Sequence, residues 1–106
     1  MINPIIQFAH DVCYARGMAD VCKCILETGL ENFQIDKVMS DYQPKVKDGL
    51  VPAYIIEEEA RHGYIQGKYE CWNIINNMSK NNGRSNEEVL NEIAAFCKAI
   101  VDIVKA

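Results

Sequence analysis

The chain has no apolar run long enough to cross a bilayer: charges interrupt every hydrophobic stretch well before the ~18–20 residues that a span needs. It has no excess of positive charge. Eleven Lys and Arg against fifteen Asp and Glu give a net charge of -4, and the basic residues are scattered, with Lys45 and Lys47 the nearest approach to a cluster. A phosphate-backbone binder, which needs a net basic face, is therefore not expected. No secretory leader is legible at the start, where no basic segment opens the chain and Asp11, Arg16 and Asp20 break up any apolar core. Together these absences predict a cytoplasmic protein that partners neither membrane nor nucleic acid. The cysteine count, five, is odd and excludes full internal pairing. Reduced thiols serving as small hydrophobes are the natural reading in a reducing compartment. Cys22 and Cys24, two apart on a helix, point to different sides and cannot chelate as a pair.

Catalytic signatures are missing as well. There is no G-x-S-x-G, phosphate-binding loop, dinucleotide glycine pattern, zinc-finger spacing or H-E-x-x-H. Glu59 and His62 supply one Glu-x-x-His, whereas di-iron bundles use two. Glu58 and His62 are an i, i+4 pair. His10 and Cys13, three apart, share a helical face, but His62, Cys71 and Cys97 follow no metal-ligand spacing. No cysteine has a base close to it in sequence. The sequence predicts no cofactor and no metal. A metal-dependent helical enzyme using Glu59, His62 and His10 ranks last among the readings.

What the chain does have is small residues at helical spacing. Ala53, Ile56, Ala60, Gly63, Gly67, Cys71, Ile74 and Met78 recur at steps of three and four, and Ala9, Cys13 and Gly17 make a shorter stripe of the same kind. Small side chains on a helix seam let another helix approach closely. The two glycines cost roughly 1 kcal/mol each relative to alanine inside a helix, so close backbone approach is the gain expected from them. Ala60, Gly63, Gly67 and Cys71 form the predicted packing seam.

Three helices follow from the pattern. The first is capped by Asn3, has Pro4 at its first position and ends at Gly29 in a left-handed turn with Leu30 folding back. It carries two apolar stripes, one through Ile5, Phe8, Val12, Ala15, Ala19, Cys22 and Leu26, the other through Ile6, Ala9, Cys13, Gly17 and Cys24, which predicts a helix sandwiched between partners. The second runs from about Pro52 to Met78, with Glu57, Glu58 and Glu59 favouring its positive end, and residues 76–86 form a loop. The third opens on the capping box Ser85-Asn86-Glu87-Glu88. Its inner seam is Leu90, Ile93, Cys97, Ile100 and Val104, broadened by Val89, Phe96, Val101 and Ile103, so that it should be mostly covered. Between the first two, Ile35, Val38, Met39 and Tyr42 have helical spacing and Asp36 could cap a short helix, while 46–49 reads as a turn. A hairpin of 33–38 with 46–55 is disfavoured by Gly49 and Pro52.

The expectation is thus one all-α domain over residues 1–106: a small bundle of three long helices plus a short helical or irregular connector. A chain of 106 residues buries a thin core, so oligomerisation, as a homodimer or larger, would complete it. On the far side of the second helix, Tyr54, Ile65, Tyr69 and Trp72, with Arg61 and Lys68 at the edges, form the best binding candidate: rigid aromatic area beside cations. The preferred function is a protein-interaction module, an adaptor, regulator or inhibitor. The alternative is a bundle that binds a small anionic or aromatic ligand on that face.

Overall fold

The computed structural model describes residues 3–38, 51–80 and 83–105. The fold is all-α. Helix α1 spans Pro4–Thr28, α2 spans Ala53–Met78 and α3 spans Asn86–Lys105, with single 3-10 turns at Leu30–Asn32 and Ile35–Lys37. No helix among the described residues is long and apolar enough to cross a membrane.

Each helix begins and ends for a local reason. The Ile5 amide donates to Asn3 Oδ1 at 2.8 Å, closing the N-cap of α1 ahead of Pro4. Gly29 ends α1 with a positive φ of 83°, a region open to glycine, and its amide reaches Ile25 O; its ψ of 152° sends the chain on in an extended direction rather than a left-handed helical one. Leu30 then opens the first 3-10 turn and packs against the core. The Glu88 amide donates to Ser85 Oγ at 3.2 Å, one half of the capping box. Asp36 lies within the second 3-10 turn, which Gln34 precedes without a side-chain cap. The helix through Ile35 and Val38 is therefore reduced to one turn, and Val38 is already extended. Met39, Tyr42 and the turn at 46–49 lie outside the described residues.

Helices α1 and α2 pack side by side and point the same way. Gly63 abuts the backbone of His10, Gly67 abuts that of Tyr14, and further along both helices Cys22 Sγ lies 3.5 Å from Cys71 Sγ. Five of the seven buried residues of α1 are spaced by four, Ala9, Cys13, Gly17, Val21 and Ile25, and Ala19 and Cys22 are buried beside that row. The buried residues of α2 are Ile56, Ala60, Gly63, Gly67, Lys68, Cys71 and Ile75. Apart from the step of three between Ala60 and Gly63, the seam residues follow the i, i+4 rows, the rows whose interdigitation gives crossing angles of about -50°. This corrects the sequence stripe at its end: Ile75 is buried where Ile74 was expected, and Ile74 is exposed. Steps of four rotate the seam beyond the heptad line, carrying Ile74 out of it.

Helix α3 lies antiparallel to α1, with Cys97 against Cys22 and Val101 and Val104 beside Arg16 and Ala19. The main core is Val21, Cys22, Ile25, Phe33, Val38, Cys71, Ile75, Val89, Ile93 and Cys97; a smaller cluster, Ala9, Cys13, Ile56 and Ala60, lies toward the other end of the α1–α2 pair. α3 is less covered than its composition implies. Leu90 is 50% and Ile103 70% exposed, and Val89 takes the inner position expected of Leu90. Likewise Phe8 and Leu26 of the first α1 stripe are exposed. One helix can shield only one side of α1, so the ends of a long stripe remain open.

Candidate functional site

Three features of the bundle bear on function: the α1–α2 crossing, a cluster of thiols and the outer face of α2.

At the crossing, the absence of side chains sets the geometry. A Cβ built on Gly63 or Gly67 would collide with the carbonyl groups of His10 or Tyr14, and one on Gly17 with the carbonyl of Tyr64, also coming 3.0 Å from the Lys68 nitrogen. Glycine on both helices lets backbone meet backbone. Ala60 and Cys71 are buried on the same seam.

This approach brings polar side chains together along its rims. On one side His10 Nε2 lies 3.0 Å from Gln66 Oε1, Gln66 Nε2 donates to Glu70 Oε1 at 3.1 Å, and the Tyr14 hydroxyl donates to Glu70 Oε2. The bond to Glu70 pushes the Tyr14 phenol up to about 12, helped by partial burial and the carboxylate charge. The same bond, with that from Gln66, holds the Glu70 carboxyl below its ordinary value. On the other side the Tyr64 hydroxyl donates to Asp20 Oδ2 at 2.7 Å, Arg16 Nε approaches Asp20 at 3.5 Å, and Lys68 Nζ sits 5.8 Å from the centre of the Tyr64 ring. The His10–Gln66, Tyr14–Glu70 and Tyr64–Asp20 contacts join α1 to α2, and the others brace those side chains within one helix.

The thiol cluster lies deeper. Cys22, Cys71 and Cys97, one from each helix, are wholly buried. Cys22 is the hub, within hydrogen-bond reach of Cys71 and of Cys97; these hydrogen bonds, that to Cys71 first, and burial push its thiol well above the usual range, while Cys97, accepting from Cys22, is held lower. Each of the three stands on an apolar stripe legible in its own helix. What the sequence does not contain is the register between helices that makes them meet. Among the described residues no three metal donors are placed to hold an ion. Cys13 belongs to the smaller core cluster, His10 is bonded to Gln66, and His62 is exposed.

The outer face of α2 divides in two. Tyr54, Ile65 and Tyr69 are 67%, 44% and 46% exposed, and Arg61 is exposed among them. Lys68 is turned inward to Tyr64 and is the one buried charged residue among those described. Trp72 is half-buried beneath Phe33, with ring centroids 4.8 Å apart, so the segment after α1 covers this end of the helix. A separate groove of about 180 Å³ between α1 and α3 is lined by Arg16, Ala19, Asp20, Lys23, Val101 and Val104.

Comparisons with known protein families, with curated proteins and with solved structures return no match.

Proposed function

We propose that the protein acts by binding another macromolecule, as a small helical interaction module, and that the contact surface is the outer face of α2. One observation supports this reading above the others: Tyr54, Ile65 and Tyr69 stand exposed on one side of a single rigid helix, with Arg61 between them. Two rings and an aliphatic side chain held by a helix offer contact area at small entropic cost, and aromatic and arginine side chains are the ones that anchor interfaces most often. A second copy of the chain is one candidate occupant and a different protein another. A small anionic or aromatic ligand is the weaker reading. Trp72, which it would use, is covered by Phe33, and the groove beside Arg16 and Lys23, at about 180 Å³, falls short of the roughly 300–1,000 Å³ of ordinary ligand sites.

The test is the double variant Ile65→Asp, Tyr69→Asp. Both side chains are open to solvent, so helix content by circular dichroism should be unchanged. Sedimentation equilibrium shows whether the purified wild type self-associates, and a photo-crosslinker in place of Tyr54 reports any other partner. Loss of association in the double variant supports the proposal. Association that survives both charges places the contact elsewhere and overturns it.

A further inference from the structure

The cluster of thiols between the helices is not used by the proposed binding face, and its geometry has a consequence of its own. Cys22 Sγ and Cys71 Sγ are 3.5 Å apart and neither has measurable exposure. The pair lies on the α1–α2 seam whose glycines, Gly17, Gly63 and Gly67, let the two helices close to backbone contact. Two sulfurs held this close need only a small side-chain rotation to bond. We infer that Cys22 and Cys71 are an oxidation site, at which a peroxide closes a reversible disulfide that ties α1 to α2.

The step balances with hydrogen peroxide as oxidant. One thiol of the pair loses its proton and attacks the O–O bond, becoming a sulfenic acid and releasing hydroxide, which takes up that proton as water. The second thiol attacks the sulfenic sulfur and displaces a second water. Two thiols and one peroxide become one disulfide and two waters, the sulfur pair giving up two electrons. The first step is slow, because the thiolate is the nucleophile and the hydrogen bonds to Cys71 and Cys97, with burial, hold the Cys22 proton on. Juxtaposition makes the second step fast. Cys24, half-buried on another side of α1, is oxidised without a partner at hand.

Peptide mapping decides the matter on the intact protein. Trypsin separates all five cysteines, because Lys23 divides Cys22 from Cys24 and Lys68 and Lys80 isolate Cys71. The reduced protein is exposed to hydrogen peroxide until Cys24 is fully modified, then alkylated in denaturant and digested. The expected product joins the peptide of Cys22 to that of Cys71 within one chain, disappears on treatment with dithiothreitol, and forms faster in urea below the unfolding transition. The bond closes a loop whose ends are 49 positions apart and should raise the melting temperature by about 10 °C, a rise that Cys24→Ser retains and Cys71→Ala loses. Full alkylation of both Cys22 and Cys71, or a bond from Cys22 to Cys97, to Cys24 or to a second chain, overturns the assignment, and the mapping of the wild type reads this without any variant.

Discussion

Gly63 of α2 lies against the carbonyl of His10 on α1, so closely that no side chain fits between them. Gly63→Ala and Gly67→Ala would each gain roughly 1 kcal/mol of helix propensity, yet the new methyl must push one backbone off another, which overpacking data put at about 1–3 kcal/mol or more. The crowding wins because the atoms in the way are main chain. Each variant is expected to lose about 2 kcal/mol in urea unfolding. A midpoint equal to wild type would show that the helices stand apart.

Ile75 is fully buried between the helices, whereas Ile65, ten positions earlier on the same helix, is 44% exposed. Ile75→Ala should cost about 2–5 kcal/mol through lost burial and the cavity left. Ile65→Ala should stay within about 0.5 kcal/mol. Equal effects in thermal or urea unfolding would mean that α2 presents a different face to α1.

The Tyr14–Glu70 bond makes stability depend on pH at both extremes. The Tyr14 phenol is raised to about 12, so its contribution is present below the ordinary tyrosine value near 10 and is lost as pH rises through about 12. Glu70 is lowered, so its contribution is present above the ordinary carboxylate value and lost as pH falls through the lowered one. Ultraviolet titration of wild type against Tyr14→Phe should isolate a phenol that ionises near 12, and Glu70→Gln should bring it back toward 10. A Tyr14 that titrates normally in the wild type would refute the contact.

Ser85 accepts the Glu88 amide at the start of α3. Ser85→Ala should destabilise the protein by about 1 kcal/mol, and Ser85→Asp should restore most of it. The measurement is thermal unfolding, and an alanine variant as stable as wild type would show that the helix starts without this cap.

Phe33 covers Trp72 with a centroid separation of 4.8 Å. Phe33→Ala should shift the emission of the single tryptophan to longer wavelength by opening that ring to water. No shift would detach the segment after α1 from α2.

The helices were legible because their signals are local. Asn3 with Pro4, Gly29, and Ser85 with Glu88 mark ends through contacts within four residues, and the structure uses each of them. The seam through Ala60, Gly63, Gly67 and Cys71 was legible too, since small residues at steps of three and four have few other reasons to recur. What failed was any inference that depends on which partner covers which stripe. Leu90 and Val89 are adjacent and both apolar, and only the position of α1 decides that Val89 is inside. Lys68 and Trp72 share a sequence stripe with Tyr54 and Ile65, but Tyr64 and Phe33 draw them into packed surroundings. The meeting of Cys22 with Cys71 depends on a register between helices 49 positions apart in the chain, which no local pattern encodes.

The shared direction of α1 and α2 has a kinetic corollary. Neighbours in an up-and-down bundle can zip together from the bend that joins them, each contact closing a slightly larger ring than the last. Here the first contact made between the two rods already encloses some fifty residues, such as those between His10 and Gly63, and that ring must shut before any glycine finds its carbonyl. The molecule should accordingly fold more slowly than three-helix proteins of its size, with a rate set by chain search.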